Sequence, residues 1–329
     1  MTRLVAVELQ RLRARRIVLL ALVASVLVAG FALFTVYQHA VQLERARSGA
    51  DVMFQQQLEW WEENGEQERA TCLQQQEEER RLSGDGSVDF GCEQLRPPTP
   101  ESMYGAMPSL AAQYDELLVT LAYPFLLLAL LVGSTHVAAE FTHRTMGSWL
   151  TFVPRRGLVF TSKVLAAALV SVPVVGVGVG LVLLGVPAVF RWHGIDGGGS
   201  SEVWVALAWA VVRILGAGLL AGALGAGAGF LVRHSAVVVG VLVGYLAVVE
   251  AILGSTVSRA SRFLLSNNVR GFIENGTEWR VVEDCWGPTG ECREVVERLS
   301  FAQSATTLVV VVLVVLGLAL WRFVRSDVD

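Results

Sequence analysis

Few residues of this chain have the type and spacing to do chemistry. His136, Glu140 and His143 fall at i, i+4 and i+7, so one helix face presents all three. Imidazole and carboxylate are ligands for divalent metals. Nothing else in the sequence completes such a site and no His-Glu-x-x-His motif occurs, so polar residues at a helix end are expected, and no metal. A phosphate-cradling loop needs Gly-Lys-Ser/Thr, whereas Lys163, the only lysine, follows Ser162 and precedes Val164. Gly176, Gly178 and Gly180 mimic a nucleotide loop but lie inside an apolar run with no strand before it. No catalytic residue and no cofactor is assigned to the chain, and it is not expected to be an enzyme. Two further charges, Arg213 and Glu250, are set within apolar runs, where charge is costly and tends to be functional.

The elements that must position these residues are membrane helices. The chain is 53% hydrophobic and 17% charged, against about a quarter charged in soluble domains. Crossing a bilayer takes about 20 apolar residues, and six segments qualify: 17–37, 117–138, 164–190, 203–232, 235–253 and 305–323. The fold expected is an all-α polytopic membrane protein with six transmembrane helices. Its organisation reads as an amphipathic helix at 1–16, a first span within 17–39, and an insertion at 40–114. Spans two to five follow within 115–253, with a connecting loop at 139–163, then a second insertion at 254–304 and a sixth span with its tail at 305–329. The first span exceeds a signal-peptide core and lacks a cleavage site, so it is expected to be retained. Gly218 with Gly222, and Gly225 with Gly229, repeat at the spacing that lets helices approach closely in lipid.

Charge sets the expected sidedness. Arg11, Arg13, Arg15 and Arg16 precede the first span, which places both termini and the 139–163 loop in the cytoplasm and both insertions outside. All four cysteines fall in those insertions, Cys72 and Cys92 in the first, Cys285 and Cys292 in the second. Pairing within each insertion is the simplest of three connectivities in an oxidising compartment. The first insertion, with 14 acidic against 6 basic residues between Ala40 and Ala112, reads as helical, with turn signals at Asn64-Gly65 and at 83–86. Trp60 and Trp61 there are expected in a small core or at the bilayer surface. In the second, Val-rich arms around a Pro/Gly turn predict a β-hairpin clipped near its tip by Cys285 and Cys292. Counted from Arg233 and His234, Arg213 lies about 30 Å along the fourth span and Glu250 about 24 Å along the fifth. Either the two pair or Glu250 faces a translocation path; snorkelling to the headgroups is the alternative.

The stretch from Ala139 to Lys163 carries a resemblance. Glu140-Phe141, a Thr145 turn, Trp149-Leu150-Thr151-Phe152, Pro154-Arg155-Arg156 and then Lys163 resemble the loop between spans two and three of type-2 ABC exporter permeases, an actinobacterial branch in particular. Val153 departs from the acidic residue expected there. Glu8 to Arg16 is similar to that family's elbow helix, and the long first insertion departs from its compact members. The resemblance implies a dimer of permease protomers, identical or not, in a bacterial cytoplasmic membrane. It also implies two copies of an ABC ATPase subunit carrying ATP and Mg, and a coupling helix seated on each. Glu140, Phe141, Thr145, Met146, Trp149, Leu150, Phe152, Arg155 and Arg156 would make that contact. It further implies short re-entrant helices after span five, with 261–268 as the candidate.

By residue chemistry alone, the same loop is an apolar knob with a basic end, and Arg155 and Arg156 suit acidic partner residues or anionic lipid equally. No nucleic-acid partner is expected. The alternative function is a membrane sensor or scaffold whose external domain binds a ligand or protein. An intramembrane enzyme lacks a catalytic dyad or metal cluster.

Overall fold

The computed structural model describes residues 2–99, 102, 110–194, 200–253, 258–283 and 293–326. Six of its helices are long and apolar enough to cross a membrane. In chain order these are α2 (Arg16–Ser83), α3 (Leu110–Thr142), α5 (Arg156–Trp192), α6 (Ser201–Val232), α7 (Ser235–Gly244, continuing as a π-helix over Tyr245–Leu253) and α9 (Phe301–Arg325). Shorter elements are α1 (Thr2–Arg13), α4 (Thr145–Phe152) and α8 (Leu265–Ile273). Strands β1 (Thr277–Glu283) and β2 (Arg293–Leu299) pair antiparallel, with Thr277 opposite Leu299 and Glu283 opposite Arg293. The hairpin arms are therefore present; Cys285 and Cys292 lie outside the described residues.

The chain forms two compact units, Met1–Phe34 with Leu110–Pro187 and Gly198–Asp329, and Thr35–Ser109 with Ala188–Gly197. In the second unit the expected turn at Asn64-Gly65 is absent, and helix continues to Ser83. The glycine is there for space: a Cβ at Gly65 would stand 2.7 Å from the Trp61 indole. Helix stops instead at Gly84, whose φ of 70° is open to glycine and whose N–H reaches the Arg80 carbonyl. The chain then folds back: Cys92 is disulfide-bonded to Cys72, and Phe90 N–H donates to Gln76. The turn after α5 belongs here too, through His193 Nδ1 at 2.7 Å from Glu44.

In the first unit, helices pack by close approach of small residues, as they must where lipid removes the hydrophobic drive between helices. A Cβ at Gly225 would collide with the Leu130 carbonyl, and one at Gly133 with that of Gly222, so α3 and α6 lie backbone to backbone. At one end of these helices Phe141, Phe160, Phe230 and Phe323 form an aromatic cluster, with Phe160 and Phe230 centroids 4.8 Å apart. Several helices run past their apolar cores. The third span extends back to Arg156, which donates to the α9 carbonyls of Phe323 and Val324 and to that of the capping Ser326, and so belongs to packed structure. At the other end α8, which overlaps the re-entrant candidate 261–268 in its first four residues, packs against α6 and α9.

Candidate functional site

Where α1, α3 and α5 meet, five ionisable side chains are gathered under α4. Lys163 Nζ stands 2.9 Å from Glu8 Oε1 and 2.7 Å from Glu140 Oε2. Arg15 reaches Glu140 Oε1 at 3.1 Å and donates to the His136 carbonyl, and His136 Nε2 lies 3.4 Å from Glu8 Oε2. Lys163 and His136 are 0% exposed, Glu8 2% and Glu140 3%, so water barely screens these four, and only Arg15 is partly exposed. Burying a charge costs several kcal/mol unless a partner compensates it. Here two carboxylates face two permanent cations. Burial alone would push the Glu8 carboxyl up, but the His136 ring and the Lys163 charge outweigh it and hold the group down at about 2.

The members come from three stretches of the chain: Glu8 and Arg15 near its start, His136 and Glu140 on α3, and Lys163 on α5. Glu8 is the lone acid of α1, an otherwise basic helix whose Leu9 and Leu12 anchor it on Val132, Ala166 and Val170. His136 and Glu140 are one turn apart on α3, and Lys163 faces them from α5. Ligand atoms of Glu8, His136 and Glu140 lie within 4.8 Å of one another, which is close enough for a metal. The Lys163 ammonium, however, already stands against both carboxylates and supplies the positive charge there. His143, grouped with them by spacing, is exposed at the helix end instead.

The roof of this cluster is α4. Arg144, with φ 53°, takes the left-handed conformation to turn the chain from α3 into α4, a strain of about 1 kcal/mol or more for a non-glycine residue. Trp149 is held between cations, with the Arg11 guanidinium 4.7 Å and Lys163 Nζ 5.5 Å from its ring centroid. Met146 is buried, and Leu150 and Phe141 pack on the aromatic cluster. Of the residues expected at a partner contact, Glu140, Phe141, Met146, Trp149 and Leu150 thus face inward and fasten α4 to the spans, and Arg156 caps α9. Thr145, Arg155 and Phe152 face outward, Phe152 at 85% exposure.

Arg213 and Glu250 do not pair. Arg213 Nε donates to the Ile273 carbonyl at the end of α8, 2.7 Å away. Glu250 accepts from the Tyr245 hydroxyl at 2.8 Å, from Ser266 N–H at 3.1 Å and from Ser266 Oγ. The apparent alignment of the two charges along neighbouring spans is resolved by α8, which inserts a hydrogen-bonding helix terminus for each.

Sequence reasoning missed Glu8, Arg15 and Lys163 as one site with His136 and Glu140. The available signal was singularity: one acid among the five arginines of the first sixteen residues, and the only lysine of the chain. Comparison with known proteins gives no match, whether to a family model, a curated protein or a solved structure.

Proposed function

We propose that this chain is the membrane-spanning permease subunit of an ATP-driven exporter, in which α4 is the coupling element that receives force from an ATPase partner. One observation carries the reading. A short helix between two spans is locked from behind by a buried ion-pair cluster, while an aromatic side chain, Phe152, stands almost fully exposed at its end. A push on such a helix moves α1, α3 and α5 together, because separating them would strand buried charge. An exposed Phe beside Arg155 is what a groove with an acidic rim would take. ATP and Mg belong to the partner, since no Gly-Lys-Ser/Thr loop is present in this sequence. The Cys72–Cys92 disulfide supports a reading in which the second unit lies on the oxidising side of a bacterial cytoplasmic membrane, with the termini and α4 inside. Two protomers would complete the transmembrane pathway.

The test is purification of the full chain from its native membrane without tag overexpression. The reading requires a P-loop ATPase in stoichiometric amount, with vanadate-sensitive turnover. A chain that purifies without one, bound through its second unit to a soluble protein or ligand, would instead be a sensor or scaffold.

A further inference from the structure

A cavity of about 750 Å³ opens among α3, α6, α7, α8 and α9. That volume is within the roughly 300–1,000 Å³ of small-molecule sites, which are mostly apolar with a few placed polar groups. Its body is hydrocarbon, with Leu130, Leu220, Leu224 and Val312 among the walls. Its polar groups are Tyr123, Tyr245, Glu250 and Ser266.

The hydrogen bonds among these four decide what they can still do. Tyr245 and Ser266 hydroxyls both donate to Glu250, and the Tyr123 hydroxyl donates to the Ser266 carbonyl at 3.0 Å. Tyr245 also accepts from Leu265 N–H. Every hydroxyl hydrogen is therefore spent inside the protein. What remains is acceptor capacity: an ionised carboxylate offers about four lone-pair directions, of which three are occupied at Glu250. The π-helical turn is the device that builds this end, since it brings Tyr245 and Glu250, five residues apart, onto one face. Glu250 is only half-buried, so an incoming group has access to it.

We propose that this cavity binds a lipophilic amine, its alkyl or aromatic body along the leucine walls and its protonated nitrogen on Glu250. An acceptor-only end selects a donor, and a carboxylate in apolar surroundings selects a cationic one over a neutral one. An anionic head meets Glu250 as a like charge and is rejected. The inference concerns binding and stands whether or not the chain transports.

The experiment uses the full chain in phosphatidylcholine nanodiscs, photolabelled with dodecylamine, dodecanol or dodecanoic acid carrying a chain diazirine. The amine should label the Leu220–Leu224 stretch most strongly, the alcohol less and the acid least, with unlabelled dodecylamine competing. Glu250→Gln should weaken the amine about tenfold or more, the loss of one charge-assisted bond, and should erase the preference over the alcohol. Ala221→Phe fills the cavity and leaves the acceptor end intact; it should abolish labelling of that stretch without changing the melting temperature by more than a few degrees. Equal labelling by amine and acid, or labelling unchanged in both variants, would mean that ordinary lipid fills the space, and would overturn the proposal.

Discussion

Three carboxylates of the first unit, Glu8, Glu140 and Glu250, are satisfied in opposite ways. Glu8 and Glu140 are matched by Lys163 and Arg15, ion for ion, in a site where only Arg15 keeps contact with solvent. Glu250 is matched by neutral donors, two hydroxyls and one amide, in a half-buried site beside a cavity. Buried ion pairs seldom add stability over an apolar core, but breaking one is expensive because the surviving charge is stranded. The first arrangement therefore acts as a lock and resists rearrangement. Hydrogen bonds from neutral donors cost less to exchange than buried ion pairs, so the second can accept a ligand.

The contrast is open to test at several points. Lys163→Ala strands Glu8 and leaves Glu140 with Arg15 alone, and should cost about 3–5 kcal/mol, read as a large fall in melting temperature or as loss of the folded chain from detergent extracts. Acid should act next. The folded value of Glu8, about 2, lies below the ordinary 4.5. Its contribution is thus complete above pH 4.5 and is lost as pH falls toward 2. The expected loss is about 3 kcal/mol, checked by thermal unfolding across that range with Glu8→Gln as the control that flattens it. Glu250→Gln removes charge but keeps one acceptor oxygen for the Tyr245 hydroxyl and Ser266 N–H, while its amide can donate to Ser266 Oγ, so it should cost only about 1 kcal/mol in stability. If it costs as much as Lys163→Ala, the distinction between lock and exchangeable site collapses. The smallest effect is a gain: Arg144→Gly relieves the left-handed strain at the α3–α4 turn and should stabilise by up to about 1 kcal/mol, measured by the same melts.

The sequence made the spans legible because hydrocarbon imposes a length and a composition that few other structures share. Helix ends were less legible: α5 starts at Arg156, seven residues before Lys163, because the Arg156 guanidinium caps a helix more than 160 residues away in the chain. Gly65 shows the same limit from the other side. A turn signal by type, it is a space-making residue under Trp61, and a local pattern cannot distinguish the two. The ion-pair site was half visible. The spacing of His136 and Glu140 put them on one face, but their partners come from α1 and α5, and only the fold joins those. Arg213 and Glu250 were marked by their cost in lipid, whereas the partners they use, the Ile273 carbonyl and Ser266, belong to a short helix whose one charge, Arg270, pairs with Glu274 instead.

The central claim, that α4 receives force from an ATPase, is tested most directly by a photocrosslinker placed at Phe152 in the full chain in its native membrane. The account predicts a covalent adduct to a P-loop ATPase subunit, formed in nucleotide-free and ATP-bound states with different yields, and a drop in vanadate-sensitive turnover for Phe152→Asp while the melting temperature stays unchanged. Crosslinking to lipid alone, with turnover indifferent to Phe152→Asp, would contradict it.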